Sequence, residues 1–180
     1  MAYLITCAGS KVEKGTFQTS NLNSLSFNDI LGPARIELLN LVPKIKLDWE
    51  RSLPAWKLYS GNRSKLYPQI REENWKKNCV EIKVLSALFG WIKHTDLLPY
   101  YDLRMSDKIL DNKFVYKYWQ NKNVLAQFID ENDIDLLSTN YRKAIHGNSN
   151  PVAIIPNVNF TDYGVQKGKW LNKELNNLAC

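Results

Sequence analysis

Cysteine is scarce in this 180-residue chain: Cys7, Cys79 and Cys180 stand far apart. Three scattered thiols exclude a disulfide framework and a CxxC metal knuckle, and only His94 and His146 are present to complete a Cys/His site. Reduced thiols and no bound metal or cofactor are therefore expected. Long apolar runs are missing as well. None approaches the ~20 residues of a membrane span, and the mean hydropathy is −0.37. The apolar start, Met1-Ala2-Tyr3-Leu4-Ile5-Thr6-Cys7, has no basic flank and is too short for a signal peptide, so it reads as structure. No membrane association is expected, and the cytoplasm is the expected compartment.

What is present is ordinary globular material, 44% hydrophobic and 23% charged, which excludes disorder for most of the chain. A chain of this length buries roughly two-thirds of its surface in one core, so residues 1–180 are expected to form a single domain. The net charge of +6 is unevenly spread: zero over residues 1–50, +5 over 51–83, −2 over 84–138 and +3 over 139–180. Two basic blocks flank an acidic middle. They read either as solvated helix faces or as parts of one positive surface suited to phosphates.

The spacing of apolar residues predicts a strand over Ala2–Cys7, a polar loop over Lys14–Asn28, and a helix through Ala34–Leu41 capped by Asn28 or Asp29. A short helix, Ala55–Tyr59, follows Pro54 and ends at Ser60-Gly61. Basic helical pieces are expected around Arg63–Ile70 and Glu72–Asn78. Val80–Ala87 is the clearest strand, and Trp91–Met105 reads as irregular. A helical apolar stripe runs through Phe114–Asp130. Ile134–Ser138 reads as a strand leading into a helix at Asn140–Ile145, Pro151–Pro156 as a further strand, and Gln166–Leu178 as a basic helix. Alternation of strands and helices predicts an α/β fold around a small mixed sheet flanked by helices.

Four segments are candidates for chemistry. Cys7-Ala8-Gly9-Ser10-Lys11 is a small-residue turn after a strand, where backbone N–H groups can cradle an anion beside Lys11. It has neither Walker nor GxGxxG spacing, and it reads equally as a tight turn with a surface lysine. The stretch from Pro54 to Arg63 concentrates Lys57, Tyr59, Ser60 and Asn62 at a glycine-closed helix, either for a phosphate or as a capped surface helix. Ser86-Ala87-Leu88-Phe89-Gly90 lies at the carboxyl end of a predicted strand, where α/β sheets collect ligands. It is followed by Asp96, Tyr101, Asp102 and Arg104, a set suited to acid–base chemistry or, alternatively, to turn capping and packing. Phe89-Gly90-Trp91 also has the pattern of a helix–hairpin–helix turn, against which the preceding strand-like run argues. The fourth segment, Asn140-Tyr141-Arg142-Lys143 with Lys167, Lys169 and Trp170, could meet a nucleic-acid backbone or be a solvated face.

Taken in order, these segments resemble the YaaA-like family of bacterial peroxide-stress proteins, and especially its shorter relatives. The resemblance runs through Ile5–Lys11, Pro54–Gly61, Leu85–Gly90, Asp96-Leu97, Tyr101–Met105, Val115–Trp119, Asp135–Lys143 and Phe160–Trp170. It implies a compact α/β domain with a positive cleft that binds DNA, including non-duplex forms, and a role in oxidative stress. A helix–hairpin–helix element is associated with the family. The chain departs from the stress protein in its shorter length, its sparser basic C-terminus, and a Cys-Ala-Gly-Ser-Lys opening where that protein has a Pro-Ala-Lys type turn. The expected function is DNA binding through a cleft formed by Lys11, Lys57, Tyr59, Arg63, Arg104, Arg142, Lys143, Lys167 and Lys169. The alternative is an enzyme acting on a nucleotide or modified base, with Asp102 or Asp96 as acid/base and Ser86 and Tyr101 positioning the substrate.

Overall fold

Ala2, Leu4 and Ile5 have no exposed surface and Tyr3 almost none, so the first strand is apolar on both faces. A strand of that kind belongs in the middle of a covered sheet. The computed structural model, which describes residues 1–160 and 163–178, places it there. Strand β1 (Ala2–Thr6) lies between β3 (Glu81–Ser86) and β6 (Ile134–Asp135), parallel to both. Strand β4 (Gly90–Lys93) pairs antiparallel with β3, giving a mixed sheet of order β4-β3-β1-β6. A second, two-stranded sheet joins β2 (Ser52–Pro54) to β5 (Leu97–Pro99). Among the described residues, six α-helices surround the sheets: α1 (Asn28–Leu41), α2 (Ala55–Leu58), α3 (Glu72–Trp75), α4 (Val115–Lys122), α5 (Thr139–His146) and α6 (Tyr163–Asn177). One hydrophobic cluster runs from Tyr3 to Leu175 through all of these layers. The predicted α/β class with a small mixed sheet is the observed one.

Several expectations are corrected. Trp91–Met105 is not irregular: it contains β4 and β5, each paired over a few residues. Gly90, with φ of 64°, turns β3 into β4, so Phe89-Gly90-Trp91 closes a strand hairpin and not a pair of helices. Pro151–Pro156 forms only an isolated bridge between Ile134 and Ile154. The helical stripe from Phe114 stops at Lys122, where Asn123 takes the left-handed conformation. Neither Asn28 nor Asp29 caps α1. Phe27 occupies that position in the left-handed region, and Asn28 Oδ1 instead accepts a bond from Arg35. Arg35 itself is buried and donates to the carbonyls of Ser26, Phe89 and Trp91, which pins the hairpin turn to α1. Burial lowers its pKa to about 10. Cys7 is a buried free thiol. Cys79 is disulfide-bonded, contrary to the expectation of reduced thiols, because distance along the chain does not bound distance in space. Cys180 lies outside the described residues. Among those described, no helix is long and apolar enough to cross a membrane.

Candidate functional site

The three parallel strands end on the same edge of the sheet, so the loops after β1, β3 and β6 gather there. After β1 the chain is held once more, by the Cys7 N–H donating to the Leu85 carbonyl, and is next tied down at Val12 through Leu58. Between those points the backbone N–H groups of Ala8, Gly9 and Ser10 have no acceptor among the described residues. These three residues line a cavity of about 200 Å³, together with Thr6, Cys7, Gly164 and the stretch Arg63-Ser64-Lys65-Leu66-Tyr67.

Gly61 allows the second loop to lie on the first. A Cβ there would stand 2.5 Å from Ser10 Oγ and 2.6 Å from the Lys11 backbone nitrogen. Three bonds then join the loops. The Tyr67 hydroxyl donates to the Thr6 carbonyl at 2.8 Å, the Arg63 N–H to Ser10 Oγ at 3.1 Å, and Ser10 Oγ to Asn62 Oδ1 at 3.3 Å. The Ser64 hydroxyl is buried with no hydrogen-bond partner among the described residues. The Arg63 side chain is exposed and makes no hydrogen bond or ion pair among the described residues. Arg104 approaches from another side, its Nε 3.8 Å from where a Cβ on Gly9 would be.

Behind the loop lies a buried polar cluster. Cys7 Sγ is 3.0 Å from the Tyr141 hydroxyl on α5. Ser86 Oγ, Tyr101 Oη and Tyr59 Oη form a chain with links of 2.8 and 2.7 Å, and Ser86 Oγ also accepts from the N–H groups of Leu88 and Phe89. Burial pushes the phenols of Tyr59, Tyr67, Tyr101 and Tyr141 well up, so all four stay neutral. Lys11 is only 9% exposed, and its Nζ has no hydrogen-bond partner among the described residues. It stands over the Tyr101 ring, 4.2 Å from the centroid, a cation–π contact. Burial pushes the Lys11 pKa down, opposed by Cys7, Asp102 and Asp107 and reinforced by Arg104.

Beside this region, at the end of β6, a second cavity of about 500 Å³ includes Asp135, Ser138, Thr139, Arg142, Phe160 and Lys167. Arg142 Nε bonds Asp135 Oδ2 at 2.9 Å. Lys167 Nζ donates to the carbonyls of Leu136 and Leu137. Burial and the nearby Arg142 lower the Lys167 pKa to about 8.

The sequence-derived candidates thus fall into groups. Lys11, Arg63 and Arg104 surround the loop after β1, and Arg142 and Lys167 line the neighbouring cavity. Lys57 packs by Gly15, Lys143 is half-buried on α5, and Lys169 is exposed on α6; none of them lines either cavity. Tyr59 has no exposed surface, so it cannot stack on a base in this conformation. The four residues assigned to acid–base work do not assemble. Ser86 and Tyr101 are sealed in the hydroxyl chain. Asp96 accepts from the Ser26 N–H and hydroxyl and from the Lys93 N–H, which ties the β4–β5 turn to the start of α1. Asp102 is exposed on a different cavity, beside Leu41–Ile45 and Asp107–Leu110. Ser64 and Tyr67 carry no motif that marks them in the sequence, and the contact of Tyr141 with Cys7 spans 134 positions, beyond the reach of any local pattern.

Fold and site together define an α/β protein whose cation-rimmed crevice opens at the carboxyl edge of a mixed sheet. The chain belongs to the peroxide stress protein YaaA family, whose model matches residues 22–173. It is also similar to a UPF0246 protein of Francisella philomiragia subsp. philomiragia, 31% identical over 99 residues, a match covering 48% of this chain and 38% of the relative. The chain thus covers well under two thirds of that relative's length. The Cys7–Lys11 loop lies ahead of the residues that match the family.

Proposed function

We propose that this protein binds nucleic acid, DNA in particular, by holding phosphates at the crevice beyond β1. The observation that carries this reading is the run of three unsatisfied backbone N–H groups, Ala8 to Ser10, on a cavity that Arg63 also lines. Backbone N–H groups without a protein acceptor are available to an anion's oxygens, and an exposed guanidinium adds the fork geometry that phosphate accepts. Arg104 adds a further guanidinium beside the loop, and Arg142, paired with Asp135, lies with Lys167 further along the sheet edge. The family's description attaches to peroxide stress, and we take that as the setting in which such binding is used. Fluorescence anisotropy with single-stranded and duplex DNA tests the reading. Affinity is expected to fall steeply as salt rises, because phosphate contacts release counterions. Absence of binding at low salt would overturn it.

A further inference from the structure

We propose that the small cavity between the Ala8–Ser10 and Arg63–Tyr67 loops is a terminal-phosphate site, which takes a phosphomonoester in preference to a phosphate inside a continuous strand. The inference rests on the nucleic-acid reading only for the identity of the molecule that carries the phosphate.

Size comes first. About 200 Å³ is below the roughly 300–1,000 Å³ of sites that enclose a whole small molecule, so the cavity holds a group and not a nucleoside. Its lining matches that group. Ala8, Gly9 and Ser10 offer backbone donors without acceptors, and Arg63 offers a guanidinium free of protein partners among the described residues. Ser64 lines the cavity, and its hydroxyl is buried without a hydrogen-bond partner among the described residues. A buried hydroxyl left unpaired is costly, and a phosphate oxygen would satisfy it.

Shape and charge then separate a terminal from an internal phosphate. The bonds Tyr67–Thr6, Arg63–Ser10 and Ser10–Asn62 close the two loops onto each other. A diester carries a nucleoside on both sides of its phosphate, whereas a monoester carries one and exposes three oxygens to the small cavity. A monoester also brings more charge, about −1.5 to −2 at neutral pH against −1 for a diester. Arg63 and Arg104, with Lys11 behind the loop, reward the higher charge.

The test compares three internally labelled single strands of one sequence, ending in a 5′-phosphate, a 3′-phosphate or hydroxyls only. One phosphorylated strand is expected to bind about tenfold more tightly than the hydroxyl-ended one, the gain from one or two charge-assisted bonds. Arg63→Gln and Ser64→Ala are each expected to bring that ratio below about twofold. Ser64→Ala does so without lowering the thermal midpoint, since it removes an unpaired hydroxyl, whereas a merely structural Ser64 would shift the midpoint and leave the ratio. Equal binding of all three strands overturns the terminal-phosphate site and leaves nucleic-acid binding standing. If no strand binds but deoxyadenosine 5′-monophosphate raises the thermal midpoint in an Arg63-dependent way, the site stands with a free nucleotide as its ligand and the nucleic-acid reading falls. If neither the strands nor the mononucleotide binds, the inference is wrong.

Discussion

The Lys11 amine is buried over the Tyr101 ring, makes no hydrogen bond among the described residues, and has its pKa pushed down by burial. An arrangement like that costs stability and persists where it serves a ligand. Replacing the ammonium by an apolar chain of similar length removes the cost. Lys11→Met is therefore expected to raise unfolding stability by about 1–3 kcal/mol in chemical denaturation while weakening DNA binding. Loss of stability with unchanged binding would make Lys11 a structural residue. Lys167 gives a pH signature of its own. Its folded pKa of about 8 lies below the ordinary 10.5, so between those values the unfolded chain binds the extra proton. Stability owed to this residue thus rises with pH across that window. Denaturation curves of the wild type and Lys167→Met, compared point by point from pH 7 to 10.5, are expected to converge or cross in favour of the wild type as pH rises.

Strand β1 positions everything that follows, because it is central and its carboxyl end opens into the unsatisfied loop. Strands β1 and β3 and helix α6 could be read from the sequence because their apolar spacing persists over five residues or more. Strands β2 and β5 could not, since each is three residues long and owes its existence to the other. The start of α1 was misplaced because tertiary contacts at Arg35 draw Asn28 away from a capping role. The fit between the two loops of the site depends on Gly61. Gly61→Ala pushes a methyl group into the Ser10–Lys11 backbone and is expected to cost about 1–3 kcal/mol. DNA affinity should fall with it, whereas an alanine placed at Glu131, which is exposed and makes no hydrogen bond or ion pair among the described residues, should change stability far less. Equal effects at the two positions would show that the loops do not fit as described.

Taken as a whole, the molecule converts an uneven charge sequence into a located one. Arg63 comes from the +5 block and Arg142 and Lys167 from the +3 block. The fold sets them along one edge of the sheet, around the loops that follow β1 and β6. The basic blocks and the turn after β1 were visible in the sequence as candidates. Which lysines face the crevice was not, because Lys57, Lys143 and Lys169 differ from Lys11 and Lys167 only in what packs against them. The carboxylates misled for the same reason: Asp96 sits beside strands and tyrosines in sequence, yet its oxygens are occupied by Ser26 and Lys93. The central claim, that this edge holds nucleic-acid phosphates, is tested most directly by the salt dependence of single-stranded DNA binding. Three or four held phosphates predict that log affinity falls against log salt with a slope of about −2 to −3. Arg63→Gln should make that slope shallower by somewhat less than one. Binding that does not change with salt, or a slope that is the same in the Arg63 variant, would contradict the account.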